Sequence, residues 1–110
     1  MTKKRIYLSG PISGYDLEER KIEFLRAQAV LEKNGFEVFN PMQNGLPRYA
    51  STFEHMRRDI EELLKCDAIF FMKRFTHSAG CLTEMHVATA IGMDVYFEEC
   101  LSPHKGIRFS

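Results

Sequence analysis

What most constrains this chain is the alternation of short apolar runs with longer stretches of helical spacing. Ile6 to Leu8 is a first strand candidate, stopped by Ser9-Gly10-Pro11-Ile12-Ser13-Gly14, whose glycines and proline break regular structure. Asp16 then stands three residues before Glu19 as an N-cap and capping-box acid. Ile22, Leu25 and Ala29 follow at helical spacing, and Asn34-Gly35 is the stop. Phe36 to Phe39 is a second strand, closed by Asn40-Pro41, and a long loop carrying Asn44-Gly45 and Leu46-Pro47 runs on to Ala50. Ser51 and Glu54 form another capping box, after which Phe53, Met56, Ile60, Leu63 and Leu64 recur as a helical stripe. Ala68 to Met72 is an unbroken apolar run, as suits a central parallel strand covered on both faces. A third helix fits Cys81 to Ile91, with Gly92 as its stop, and Asp94 to Phe97 is a fourth strand. The last dozen residues read ambiguously. Alternation at these lengths predicts parallel strands joined by right-handed crossovers, a three-layer α/β/α sandwich with four or five strands.

Composition limits what such a domain can do. The chain has 110 residues, one domain's worth, and its 45% hydrophobic and 27% charged content is that of an ordinary globular protein. Fifteen basic residues balance fifteen acidic ones, so no global field favours nucleic acid or an anionic membrane. Cys66, Cys81 and Cys100 are odd in number and lack C-x-x-C spacing, which predicts reduced thiols packed as small hydrophobes. The N-terminus has no apolar region long enough for a signal peptide, and the longest apolar run is too short to cross a bilayer. These features point to the cytoplasm.

Sheets of this kind bind ligands at the carboxyl ends of their strands. That edge gathers the Ser9–Gly14 loop, the loop after Asn40 and the segment from Lys73 to Gly80. The Ser9–Gly14 loop lacks both the dinucleotide G-x-G-x-x-G spacing and the Walker lysine; it is either an ordinary tight turn or a cradle for a small anion or sugar hydroxyl. Asp59 borders the apolar stripe of the second helix, where a carboxylate is costly unless it is paired or used. Arg57 and Arg58 are near in sequence, yet residues one or two apart on a helix point to different sides. Ser78-Ala79-Gly80 precedes the third helix, where free N–H groups suit an anion. Glu84 falls in the first turn of that expected helix, on the side of Cys81, Ala88 and Ile91, and by spacing alone reads as a dipole-compensating acid. The four histidines show no metal spacing, and no serine sits in a G-x-S-x-G elbow.

Four segments together resemble the nucleoside 2-deoxyribosyltransferase superfamily, in particular its DUF4406 branch. They are Ile6 to Gly14, Val38-Phe39-Asn40-Pro41, Asp59-Ile60 with Cys66-Asp67-Ala68-Ile69, and Ser78-x-Gly80-x-x-x-Glu84. The resemblance implies a flavodoxin-like parallel sheet and cleavage at the N-glycosidic bond of a deoxynucleoside or its 5′-monophosphate. The sugar would pass to a base or to water through a covalent glycosyl ester. It implies Glu84 as nucleophile, Asp59 as the aspartate that helps hold the sugar and assists protonation, and Tyr7 as the residue orienting the nucleophile. The substrate-binding set is Ser9, Gly10, Pro11, Ile12, Ser13, Gly14, Asn40, Ser78 and Gly80. No cofactor or metal is implied, and the expected partner besides the substrate is a second copy of the chain. Ser78 stands where transferases that prefer unphosphorylated nucleosides have an aspartate, which favours a phosphorylated ligand; the absence of an arginine from Ser9–Gly14 points the other way.

Two other readings fit the same architecture. One is a nucleotide-sensing module without turnover, which would have no need of a nucleophile. The other is a flavin carrier, for which the chain lacks a convincing phosphate loop and a Trp to stack on the ring.

Overall fold

The computed structural model describes residues 3–98; Cys100, His104 and the ambiguous last dozen residues lie outside them. The elements are β1 (Arg5–Ser9), α1 (Leu17–Lys33), β2 (Glu37–Phe39), α2 (Thr52–Leu63), β3 (Ala68–Phe71), α3 (Ala79–Ala90) and β4 (Asp94–Phe97). Short 3-10 turns at Pro41–Gln43 and Phe75–His77 precede α2 and α3. The four strands are all parallel in the order β2-β1-β3-β4, a flavodoxin-like arrangement. Tyr7 is in register with Phe39 on one side and Ile69 on the other.

The pleat sorts the core into two layers. Ile6, Leu8, Ala68, Phe70 and Met72 face α1 and pack on Phe24 and Leu31. Tyr7, Ile69 and Phe71 face the other way, onto Leu63 of α2 and Ala88 of α3. Each fully buried Ile, Leu or Phe contributes about 1.5–3 kcal/mol, so both faces of β1 and β3 hold the sandwich together. Gly10, just past β1, packs closely: a Cβ there would meet Met72 Sδ at 2.7 Å and the Phe24 ring at 3.1 Å, so both side chains would have to shift.

The capping signals predict the helix starts well. Ser51 and Glu54 close both arms of their capping box. Asp16 caps α1 by accepting from the Glu19 amide, but the Glu19 side chain turns instead to Arg20, at 3.2 Å. The apolar stripes are read less well. Ile22 and Leu25, 56% and 50% exposed, face solvent together with Ala29, and the buried side of α1 carries Arg20, Phe24 and Leu31. Both sides of this helix offer apolar residues, and the sheet takes the side whose aromatic ring fills more volume. On α2, Phe53 and Leu64 are likewise exposed while Leu63 is fully buried, and on α3 Ile91 is exposed although Cys81, Glu84 and Ala88 face inward as expected. The third helix starts at Ala79 rather than Cys81, which moves Glu84 into its second turn and removes the dipole-compensating role.

Candidate active site

A cavity of about 450 Å³ opens beside the carboxyl ends of β1 and β3, within the ~300–1,000 Å³ span of small-molecule sites. This is the point where the chain leaves β1 for a helix on one face and β3 for a helix on the other. Tyr7 and Glu84 border it from the sheet side, Asp59 and His55 from α2, and Gly10, Ile12 and Ser13 from the first loop. Ser78 and Gly80 border it from the start of α3.

Glu84 is only 6% exposed, and hydroxyls hold both of its oxygens. Tyr7 OH donates to Oε2 at 2.6 Å, and Ser9 Oγ donates to Oε1 at 2.7 Å. Tyr7 and Ser9 reach the same carboxyl because alternate residues of a strand share a face. Burial pushes the Glu84 carboxyl up to about 7; the two hydroxyl bonds oppose that rise and the Asp59 charge adds to it. Burial, with the charge of Glu84 next in size, raises the Tyr7 phenol well above its ordinary value, so at neutral pH it serves as a donor.

Asp59 is 8% exposed, and burial raises its carboxyl too. A bond from Asn44 Nδ2 to Asp59 Oδ1, at 2.9 Å, opposes the rise, as do the charges of Arg48 and Arg58. Neither neighbouring arginine pairs with Asp59: Arg57 pairs with Glu61 at 3.8 Å and Arg58 with Glu62 at 3.0 Å, as helical spacing requires. His55 Nε2 lies 3.0 Å from the Pro47 carbonyl oxygen, which can only accept, so the network assigns the ring proton to Nε2. His55 Nδ1 then accepts from Asn44 Nδ2 at 3.1 Å and from an Arg48 guanidinium N–H at 3.0 Å.

Of the residues expected from sequence, Tyr7, Asp59, Glu84, Gly10, Ile12, Ser13, Ser78 and Gly80 come together around one cavity. Ser78 Oγ also accepts from the Cys81 amide at 3.2 Å and caps α3. Ser9 stands behind Glu84 rather than on the cavity wall. Pro11 is buried, its carbonyl accepting from Arg20 Nε at 2.8 Å, and Gly14 makes a left-handed turn with φ of +86° outside the cavity lining. Asn40 lies outside the cavity lining: its Oδ1 accepts from the Met42 amide at 2.9 Å and its Nδ2 donates to Gln28 at 3.1 Å, so it caps a 3-10 turn. Cys66 and Cys81 are free and buried, and burial raises both thiols.

Sequence reading missed Arg48 and His55 on the cavity wall, Asn44 behind Asp59, and Arg20 behind the first loop. Asn44-Gly45 reads as a turn signal, and His55 carries no metal spacing. Arg20 is 2% exposed, lies between the rings of Tyr15 and Phe24 at 5.7 and 5.4 Å, and braces the first loop from outside the cavity. Among the described residues, no three His, Cys, Asp or Glu side chains converge as metal ligands would. No helix among them is long and apolar enough to cross a membrane.

Residues 4–97 match the family described as "Domain of unknown function (DUF4406)". No curated protein matches the chain. Among solved structures, a 2-deoxyribosyltransferase from Bacillus psychrosaccharolyticus superposes with a TM-score of 0.68 at 24% identity, over 89% of this chain and 77% of that one. A 2-deoxyribosyltransferase from Leishmania mexicana gives 0.64 at 21% identity, over 86% of this chain and 63% of that one. The CMP N-glycosidase BcmB from Clostridium botulinum gives 0.58 at 21% identity, over 86% of this chain and 67% of that one. At these identities the likeness establishes a shared fold.

Proposed function

The chain belongs to the DUF4406 family, and from the geometry of its cavity we propose that it cleaves or transfers at the N-glycosidic bond of a deoxynucleoside or its 5′-monophosphate. The observation that carries this reading is the Glu84 carboxyl, buried at the cavity wall with both oxygens held by hydroxyls, while a second carboxyl, Asp59, borders the same space. Structural relatives are enzymes of 2-deoxyribosyl transfer and of N-glycosidic cleavage, which supports the same class of chemistry.

In this mechanism a Glu84 oxygen attacks the anomeric carbon as the bond from that carbon to the base nitrogen breaks. The bonding pair leaves with the base, and Asp59 assists by supplying a proton to it. The oxocarbenium-like transition state is positive, and the ionised Glu84 stabilises it. Water or a second base then attacks the same carbon and releases Glu84, so the two displacements retain configuration. Tyr7 and Ser9 fix the carboxyl plane throughout. A nucleophile must be ionised, so turnover rises with pH as Glu84 deprotonates near 7.

Ser78 and the first turn of α3 are the part of the wall suited to a 5′-phosphate. Self-association of the chain belongs to the same reading, with Tyr49 and Phe53 standing 91% and 72% exposed just outside the cavity lining. Light scattering checks it, and a monomer at high micromolar concentration counts against it.

The deciding experiment incubates the protein with a panel of deoxynucleosides and their monophosphates, with and without an acceptor base, and separates the free bases by chromatography. Mass spectrometry of quenched reactions should find a sugar adduct on the peptide containing Glu84. Release of no base from any substrate rejects the enzyme and leaves a nucleotide-sensing module.

A further inference from the structure

We propose that Asn44 and His55 are positioning residues that hold Asp59 with Oδ1 tied back and Oδ2 presented to the cavity; this rests on the glycosidic-bond reading above. Both polar side-chain atoms of Asn44 are engaged. Its Oδ1 accepts from the Leu46 amide at 3.0 Å, and its Nδ2 donates to Asp59 Oδ1 at 2.9 Å and to His55 Nδ1 at 3.1 Å. It is 3% exposed, so each of these bonds would be costly to lose.

His55 closes the arrangement. Its Nε2–H is committed to the Pro47 carbonyl, which leaves Nδ1 as an acceptor facing Asn44 and Arg48. A neutral acceptor at this point aims the Asn44 amide, since an Nδ2 with two hydrogens bridges imidazole and carboxylate in one orientation only. The loop from Asn44 to Arg48 is thereby tied to α2 at two side chains, His55 and Asp59. With Oδ1 engaged as an acceptor, Oδ2 is the oxygen on which Asp59 carries a transferable proton.

The charged and titratable groups facing Asp59 are His55 and Arg58 from its own helix, Arg48 from the loop after β2, Tyr7 from β1 and Glu84 from α3. Asn44 is the neutral group among them that bonds the carboxylate directly. It favours the ionised form and so opposes the effect of burial.

The test titrates the Asp59 carboxyl by NMR in carboxyl-labelled full-length protein. Asn44→Leu is expected to move that titration upward. His55→Leu should do the same more weakly, and His55→Asn, which restores an acceptor near the Nδ1 position, should return it toward wild type. On any substrate that wild type cleaves, Asn44→Leu should lower kcat roughly ten- to a hundredfold with KM little changed. The alkaline limb of the rate profile should move up along with the Asp59 titration. An Asp59 titration unchanged in folded Asn44→Leu, or in His55→Leu should Asn44→Leu fail to fold, overturns the proposal. Because the titration needs no turnover, a protein inactive on every substrate would refute the glycosidase reading while the NMR result still decided whether Asn44 and His55 govern Asp59.

Discussion

Glu84 is held by two hydroxyls, whereas Asp59, in the same cavity, accepts from an amide and feels the charge of two arginines. Burial raises both carboxyls. Around Glu84 only two neutral donors resist that rise; around Asp59 the resistance includes positive charge. Unlike surroundings give two carboxyls unequal holds on a proton. Burial alone favours the protonated form of Glu84, so a nucleophilic role needs the positive charge that develops on the substrate to favour its ionised form. The contrast also concerns rigidity. Glu84 is held from β1 at the centre of the sheet, while Asp59 is held by a loop that is itself pinned by His55.

The largest effect should separate the two carboxyls directly. Glu84→Gln should abolish glycosidic cleavage, a loss of roughly a millionfold if it resembles removal of other nucleophiles, while nucleotide binding by calorimetry persists. Asp59→Asn should slow turnover about a hundred- to ten-thousandfold without erasing it, the usual worth of general acid–base assistance. Equal losses in the two variants would break the distinction between nucleophile and assisting acid.

A second measurement tests the burial of Glu84 without any substrate. Its folded carboxyl titrates near 7 against an ordinary 4.5, so the folded state holds the proton more tightly than the unfolded one. That contribution to stability is fully present below about pH 4.5 and is lost as pH rises through about 7. The shift corresponds to a loss of order 3 kcal/mol between those limits. Urea unfolding at pH 5 and pH 8 should show this decline in wild type and a flatter dependence in Glu84→Gln. Parallel curves would mean that Glu84 is not held in a water-poor site.

The smallest effect sharpens the role of the hydroxyls. Tyr7→Phe removes a bond that favours the ionised Glu84, so the acid limb of the rate profile should move to higher pH. Activity near neutrality should fall about tenfold, with recovery at alkaline pH, because a single hydrogen bond to a charged group is worth ~1.5–3 kcal/mol. A uniform loss at every pH would assign Tyr7 to substrate binding instead.

Element placement was legible in the sequence because its signals are local. Ser51 with Glu54, Asp16, Asn34-Gly35 and Gly92 act within a turn or two of backbone, and β4 ends where its residues said it would. The parallel direction of the strands followed from alternation, since strands joined by helices have few ways to return, while their order was set by the structure. Tyr7, Asp59 and Glu84 were legible mainly by family resemblance. Spacing alone made Glu84 a first-turn acid, and a start two residues earlier undoes that reading.

What only the tertiary structure decided is how faces and loops are used. Ile22 and Leu25 have the spacing of a buried stripe, yet Phe24 took the sheet, a choice made by volume across the layer rather than by periodicity along the helix. Asn40 and Asn44 look alike in sequence, both beside turn residues. One turns back to cap a 3-10 turn and the other reaches Asp59, because the path of a loop sets which polar groups meet. Local sequence determines where backbone hydrogen bonds begin and end. Side-chain bonds between distant segments form only once the packed layers have brought those segments within about 3 Å of each other.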